Sequence, residues 1–301
     1  MAELPDATLS DLYRRVKSLR LRVLRDVTSR LAGSYASAFR GPGVEFLEHR
    51  RYAAGDDVRH IDWLLTARRQ EPYVRRYVEE RELRVLLALD VSGSMGDAGR
   101  DGTRRQTACL VAAAVALSAA WKGDRVGGLL FGQRVQAALR AARGERHALS
   151  VVQRCLGEPP RGDRTDLRPV LKRLRNVRGH ALVFLLSDFL TRPAVHAEDV
   201  RRLLAACACK HDLMAVWLRE GNTAAEGAVA EVADPESGVL THLDLRGAAG
   251  RRTREALADE RRRTRRAFGQ CGVPVIELRT GQDYVGELLR LFAGRGSRKR
   301  R

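Results

Sequence analysis

The feature that most constrains the fold is an alternation of short, continuous apolar runs with longer amphipathic segments over residues 85–292. An apolar run of roughly four to eight residues is typical of a strand that is buried on both faces of a parallel sheet. Strands are predicted on this basis at Val85–Leu89, Val126–Phe131, Ala181–Leu186, Leu213–Leu218 and Val273–Leu278. Helices are predicted over residues 104–121, 146–156, 166–175, 197–208, 250–268 and 284–292. The alternation predicts an α/β fold with a doubly wound, mostly parallel sheet.

Weaker patterns complete the organisation of the chain. A short edge strand is predicted at Val135–Ala138 and another strand at Val239–Leu243. Apolar residues at spacings of three and four predict a helix over residues 9–31, which a Gly-rich stretch over 33–43 interrupts. Residues 44–82 are dense in charged and aromatic side chains and follow no single period. We therefore predict three parts, which are an N-terminal helix with a smaller α+β segment over residues 1–84, an α/β domain over 85–294 and a basic tail over 295–301.

Composition argues against secreted disulfide scaffolds and integral membrane proteins. With 44% hydrophobic residues in 301, the chain can bury a sizeable core. Its longest nearly apolar run, Cys109–Trp121, has 13 residues, whereas a membrane span needs about 20. The five cysteines are an odd number without metal-type spacing, which is typical of a reducing compartment. The N-terminal residues lack the basic-then-apolar pattern of a signal peptide, so we predict a cytoplasmic protein without a membrane span.

The formal net charge of +18 is unevenly distributed. Residues 1–84 and 85–244 each carry a net +4, and residues 245–301 carry +10, mostly in Arg251–Arg266 and in the tail. A basic stripe of this kind can bind nucleic-acid phosphates or acidic protein surfaces. The alternative is a solvated helix face followed by a frayed tail. A nucleic-acid-associated protein that uses this region is therefore the second hypothesis of function.

Three short segments bring oxygen-bearing side chains to the carboxyl edge of the predicted sheet. Asp90, Ser92 and Ser94 alternate directly after the first strand of the domain. Thr165 stands just before a helix, and Asp188 stands just after a later strand. Ligands of open parallel sheets bind beyond this edge, and two carboxylates with three hydroxyls suit Mg²⁺ or Mn²⁺. The alternative is that Asp90 and Thr165 each cap a helix and that Asp188 begins a turn.

The five residues resemble the metal-ion-dependent adhesion site of von Willebrand factor A domains. They match its Asp-x-Ser-x-Ser, Thr and Asp elements in order. The resemblance implies a von Willebrand A-like fold in which Asp90, Ser92, Ser94, Thr165 and Asp188 hold the metal. It also implies that an acidic side chain of a partner protein completes the coordination shell of the metal.

The upstream segment resembles the signature of domain of unknown function family 58. The shared motifs are Gly43-x-Glu45-Phe46, Arg51-Tyr52, Gly55-Asp56-Asp57, Arg59, Ile61-Asp62-Trp63, Ala67-Arg68 and Glu79-Glu80. Members of that family are typically encoded beside MoxR-type AAA+ ATPases. The resemblance implies an adaptor or co-chaperone that works with such an ATPase in the assembly or activation of client proteins. Arg164 stands where a small residue is expected, which predicts either weakened cation binding or a pair between Arg164 and Asp163.

The acidic and basic residues of this upstream segment are expected to form bidentate arginine–carboxylate pairs. Trp63 is expected to anchor the segment by packing against the sheet domain. One hypothesis makes the segment a surface for a partner protein, and the other makes it a structural network of ion pairs. The candidate partner-binding residues are Arg51, Asp56, Asp57, Arg59, Asp62, Trp63 and Arg68.

No catalytic motif is found in the sequence. It contains no Gly-x4-Gly-Lys-Ser/Thr loop and no His-Glu-x-x-His, and Ser94 does not lie in Gly-x-Ser-x-Gly. Asp90 after a strand superficially resembles a phospho-aspartate phosphatase loop, which makes a phosphatase a third hypothesis. Ser92, however, stands where such a loop carries a second carboxylate. We therefore predict a non-catalytic protein.

Overall fold

The computed structural model of the chain describes residues 31–39, 45–78, 82–96, 98–99, 102–158, 164–220, 229–233, 240–244 and 247–298. The chain forms two compact units, of which the smaller is Phe39–Leu83 and the larger is the rest. The second part of the larger unit begins at Arg84, next to the predicted start of the α/β domain. The helix predicted over residues 9–31 lies outside the described residues except at Leu31, and the basic tail does so from residue 299.

The described helices and strands are numbered in chain order. The elements up to the first long helix are α1 (Ala32–Ala38), β1 (Glu45–Arg51), α2 (Trp63–Arg69), β2 (Tyr73–Val78), β3 (Arg84–Asp90), β4 (Ala98–Gly99), β5 (Gly102–Thr103) and α3 (Arg104–Trp121). The next are β6 (Arg125–Phe131), β7 (Val135–Ala142), α4 (Glu145–Gly157), α5 (Leu167–Arg175), β8 (Leu182–Ser187), α6 (Glu198–Lys210) and β9 (Asp212–Arg219). The last are β10 (Val229–Ala233), β11 (Leu240–Asp244), α7 (Gly247–Gln270), β12 (Val275–Arg279) and α8 (Tyr284–Arg298).

The larger unit is built on a six-stranded sheet with the order β12-β9-β8-β3-β6-β7. All neighbouring strands are parallel except β7, which pairs antiparallel with β6 at the edge. The chain starts in the middle at β3, runs outward through β6 and β7, and returns to extend the sheet from β8. The predicted α/β fold with a mostly parallel sheet is therefore confirmed. The order reverses between β3 and β8, and this reversal is where such sheets bind ligands.

Helices cover both faces of the sheet. On one face, Leu86 and Ala88 of β3 share a core with residues of α5, α6 and α7, including Val170, Leu204 and Phe268. The intervening β3 residues Leu87 and Leu89 are also fully buried and project from the opposite face. That face is contacted by α3, none of whose residues belongs to the first core. Burial on both faces explains why the central strands are continuous apolar runs.

Helix α3 is the apolar segment that the sequence predicts to be a buried helix. Thr103 and Gln106 form a reciprocal capping box at its start. Every residue from Val111 to Ala119 is buried. No helix in the described part of the chain combines the length and the apolar character that a membrane crossing needs.

Several elements differ from the sequence prediction, among them β10, which was not predicted. Strand β7 runs to Ala142 instead of Ala138, because an edge strand that is only half buried lacks the apolar run by which the inner strands were predicted. Strand β11 pairs with β10 in a separate hairpin rather than in the main sheet. Helix α1 occupies part of the predicted Gly-rich interruption, since Tyr35 is buried there and its hydroxyl donates to Asp124.

The smaller unit contains the antiparallel pair β1–β2 with α2 between the two strands in sequence. Asp62 caps α2 by accepting from the backbone N–H groups of Leu64 and Leu65, and Asp57 caps the short 3-10 turn Val58–His60. These caps give the irregular charged segment a defined backbone.

Candidate metal-binding site

The five residues predicted as metal ligands lie together at the carboxyl edge of the sheet. Asp90 is the last residue of β3, and Asp188 directly follows β8. Thr165 lies just before α5, and Ser92 and Ser94 lie in the turn after β3. All five side chains are buried. The structure therefore brings the whole predicted set to the point where the strand order reverses, and their binding of a metal stays a prediction.

Hydrogen bonds centre the set on the Asp90 carboxylate. Thr165 Oγ1 donates to Asp90 Oδ2 over 3.1 Å, and Ser187 Oγ donates to the same oxygen over 2.6 Å. The other oxygen, Oδ1, accepts from the backbone N–H of Ser92 over 2.9 Å. The hydroxyls of Ser92 and Ser94 lie 3.2 Å apart. Sequence reasoning missed Ser187, which reads as the last residue of an apolar strand.

Backbone contacts hold these loops in place. The N–H of Val91 donates to Phe131 O of the neighbouring strand over 2.8 Å, which fixes the turn that follows Asp90. Thr165 forms an isolated parallel bridge with Thr191, and its carbonyl accepts from the N–H of Arg192 over 2.9 Å. Asp166 caps α5 by accepting from the N–H of Arg168. These hydrogen bonds fix the backbone of the loops that carry the predicted ligands.

The turn after Asp188 is backbone-strained. Phe189 has φ of 54°, in the left-handed region that a bulky side chain rarely adopts. Its ring packs edge-on against Trp217 and Phe268, with ring centroids 6.0 and 4.8 Å away. Ser187 Oγ accepts from the Phe189 N–H over 2.9 Å. Strain of this kind is concentrated at functional sites. In the same turn, the N–H of Leu190 donates to Asp188 Oδ1 over 3.0 Å.

Burial makes the negative charge at this site unfavourable. Burial, and after it the charge of Asp188, raise the pKa of Asp90 to about 7, although hydrogen bonds from Ser187 and Ser92 act in the opposite direction. A buried carboxylate pair needs a cation or a proton to balance it. The site is therefore electrostatically suited to a bound cation.

Arg104, the first residue of α3, supplies one positive charge to this site. Its Nη1 donates to the Ser94 carbonyl over 2.6 Å and to Asp188 Oδ2 over 3.2 Å, and its Nη2 donates to Glu220 Oε1 over 2.8 Å. Only 11% of the Arg104 side chain is exposed. Sequence reasoning missed this residue. One available signal was that a basic residue in the first turn of a helix opposes the helix dipole.

The residues present fit a hard divalent cation. The donor set consists of carboxylate and hydroxyl oxygens, the ligand type that Mg²⁺ and Mn²⁺ prefer. In the described part of the chain no cluster of three or more His, Cys, Asp or Glu side chains forms a metal site, which agrees with a set that has only two carboxylates. Arg104 contacts Asp188, one of the predicted ligands. Arg164, the predicted source of interference, is exposed, whereas Thr165 next to it is buried.

The upstream candidate residues fall into two groups. Three carboxylates have local structural roles, because Asp56 pairs with Arg50 over 2.6 Å, Asp57 pairs in bidentate fashion with Arg59, and Asp62 caps α2 and contacts His49. Arg51 pairs with Glu71 over 2.8 Å. The expected arginine–carboxylate pairs are therefore found for Asp56 and Asp57, whereas Asp62 has a histidine partner.

The remaining upstream residues form an exposed surface. The expected burial of Trp63 is wrong, since 68% of its side chain is exposed, and 69% of the adjacent Leu64 is exposed too. Arg68, one helical turn beyond Leu64, is also exposed. An exposed pair of large apolar side chains at the start of a helix is typical of a protein-interaction surface.

The basic stripe Arg251–Arg266 lies on α7, and part of its charge is neutralised locally. Arg262 pairs with Asp259 on the same helix, and Arg265 pairs with Glu277 of β12. The stripe is therefore less basic than its sequence indicates.

Fold and site together define an α/β protein whose oxygen-lined site lies at the reversal point of a mostly parallel sheet. A family model described as "Protein of unknown function DUF58" matches residues 48–267. The chain belongs to this family, as the upstream motifs predict. Uncharacterized proteins of Mycobacterium bovis and Mycobacterium tuberculosis are 30% identical to it over 285 residues, which is 93% of this chain and 88% of each relative.

Solved structures with a similar fold include BatB, a conserved hypothetical protein from Bacteroides thetaiotaomicron. It is 12% identical, with a TM-score of 0.44, and the match covers 71% of this chain and 99% of that one. Another is the VWA domain of SpRpn10, which is 11% identical, with a TM-score of 0.41 and coverage of 70% of this chain and 95% of that one.

Proposed function

We propose that this protein is a non-catalytic, metal-dependent protein-interaction module. Mg²⁺ or Mn²⁺ binds to Asp90, Ser92, Ser94, Thr165 and Asp188, and an acidic side chain of a partner protein completes its coordination shell. The observation that carries the proposal is the convergence of these five buried side chains at the reversal point of the sheet. Separate capping roles would not require them to meet around one carboxylate.

The charge balance supports an acidic partner group. Two carboxylates and three neutral hydroxyls balance a divalent cation without excess negative charge. Arg104 adds a further positive charge at the same site. A carboxylate that approaches the cation therefore meets no net negative potential from these groups. The same arrangement does not require a nucleophile or a general base, which is why we favour binding over catalysis.

For the partner we propose a MoxR-type AAA+ ATPase or its client protein, with this chain as adaptor or co-chaperone. Membership of the DUF58 family supports this choice, because members of that family are typically encoded beside such ATPases. We propose the exposed residues Trp63, Leu64 and Arg68 as a second contact surface for the same assembly.

Calorimetric titration with MgCl₂ and MnCl₂ tests the metal site. We expect the wild-type chain to bind one divalent cation, and Asp90→Asn and the double variant Ser92→Ala/Ser94→Ala to lose at least about tenfold in affinity. Asp259→Asn, which changes an exposed carboxylate on α7, is the matched control and should bind as the wild type does. Equal cation binding by all four proteins would refute the metal site.

Capture of a purified MoxR-type ATPase on the immobilised chain tests the partner. We expect capture in Mg²⁺, loss of capture in EDTA, and loss with Ser92→Ala/Ser94→Ala. Thermal melting of each variant shows whether it is folded. Capture that is the same in Mg²⁺ and EDTA would contradict the metal mechanism, and no capture in either would contradict the choice of partner.

A further inference from the structure

A cleft of about 280 Å³ opens directly beside Asp188. Its walls are the strained turn after β8, the end of β9, one face of α7 and the end of β12. Arg104 and Asp188 line this cleft and also belong to the candidate metal site, where they are 3.2 Å apart. The cleft and the metal site are therefore contiguous. Apart from Arg104 and Asp188, none of the residues that line the cleft contributes a charged or hydroxyl group to the candidate metal site.

One part of the cleft is apolar and open. Leu190 and Leu257 line it with 55% and 49% of their side chains exposed. Trp217 of β9, which is buried, also lines this part of the cleft. Exposed leucines in a concave surface are suited to contact an apolar side chain of a ligand.

The other part of the cleft is positively charged. Arg261 and Arg279 line it, and no hydrogen bond or ion pair engages either guanidinium within the part of the chain that the structure describes. Among the acidic residues, Asp188 and Glu220 contact Arg104, and Glu277 contacts Arg219 and Arg265. Glu260 lies 3.2 Å from Nδ1 of His196. Burial, followed by the charge of Arg219, lowers the pKa of Arg261, and the charge of Glu277 acts in the opposite direction. The two available guanidinium groups are suited to a carboxylate.

We propose that this cleft binds the residues that flank the metal-bound acid in the partner protein, and that it selects an acidic segment with an apolar side chain and a second carboxylate. The apolar side chain contacts Leu190 and Leu257, and the second carboxylate pairs with Arg261 and Arg279. Because one extended residue spans about 3.3–3.6 Å, these groups lie within a few residues of the first acid. The proposal rests on the proposed function, since the first acid is the group that binds the metal.

A random library of 12-residue peptides displayed on phage, selected on the full chain in MgCl₂, identifies the preferred segment. We expect the enriched peptides to share two acidic residues with a large apolar residue close to them. The binding of one enriched peptide, labelled with fluorescein, is then measured by fluorescence anisotropy. We expect Arg261→Glu/Arg279→Glu to weaken it at least about tenfold, and Leu257→Ser to weaken it less.

The matched control is Arg263→Glu, which reverses an exposed charge on α7 outside the cleft and should change the affinity less than about twofold. If EDTA abolishes binding but Arg261→Glu/Arg279→Glu leaves it unchanged, the proposed role of the cleft is refuted and the metal site is still supported. If the cleft variants abolish binding but EDTA leaves it unchanged, the proposed function is refuted and the cleft is still a peptide site. Enriched peptides without acidic residues, or no enrichment at all, would also overturn the cleft.

Discussion

Arg104 gives the sharpest test of the proposed site, because its guanidinium contacts Asp188, a proposed ligand of the metal. The change is Arg104→Met, which removes the guanidinium and keeps an unbranched apolar stem of similar length. The Arg104 side chain bridges Ser94, Asp188 and Glu220, and Asp188 is nearly fully buried. Removing one partner of a buried pair costs about 3–5 kcal/mol.

We expect the lower end of that range, about 3 kcal/mol, because 27% of the Glu220 side chain is exposed and water can replace its lost partner. For a unit of this size the melting temperature in EDTA should fall by roughly 6–12 °C. The substitution should have the opposite effect on Mg²⁺ binding, which it should strengthen. Since the variant leaves Asp188 available and removes a positive charge, its Mg²⁺ affinity should rise at least about tenfold.

The assay is thermal melting of both proteins in EDTA and in saturating MgCl₂, with calorimetric titration of MgCl₂. A tenfold gain in affinity corresponds to about 1.4 kcal/mol, so Mg²⁺ should raise the melting temperature of Arg104→Met by about 3–5 °C more than that of the wild type. Arg104→Lys, which keeps the charge without the planar fork, should be intermediate. Arg173→Met, at an exposed position on α5, is the control. Unchanged or weaker Mg²⁺ binding by Arg104→Met would refute the competition.

Three further outcomes follow from other parts of the structure. Burial lowers the pKa of His211, so the folded chain keeps this ring neutral at pH values where the unfolded chain binds a proton. The free energy of unfolding, measured in urea, should therefore be greatest above about pH 7 and fall below about pH 6.5. His211→Gln should make that fall smaller. Gly127→Ala should lower the free energy of unfolding by about 1–3 kcal/mol, measured by thermal melting, because its Cβ would lie 2.8 Å from Leu139 O in the paired edge strand. Gly269→Ala is the control and should cost no stability, since its Cβ would have no atom within 4 Å. Trp63→Ser should leave the melting temperature unchanged and weaken capture of the ATPase, and unchanged capture would contradict a contact role for this residue.

The central sheet could be predicted from the sequence because its strands are buried on both faces. A strand such as β3 needs apolar side chains at every position, so its run of apolar residues is visible without any knowledge of its neighbours. The edge strand β7 has solvent on part of its surface and carries Gln136 and Arg140, so its full length was not visible. Strand β11 was predicted without a partner and β10 was not predicted, since a strand pattern does not show which strand it pairs with.

The sequence by itself also determined where the candidate ligands meet. Asp90 and Asp188 each follow a parallel strand, and the carboxyl ends of adjacent parallel strands share one edge, so local patterns were enough to bring them together. Only the tertiary structure decided what balances their charge and what lies beside them. Arg104 is separated from Asp188 by 84 residues and from Glu220 by 116, and the residues that line the cleft come from five separate segments. Contacts of this kind depend on how side chains from distant segments are packed together, and no local periodicity of the chain records that packing.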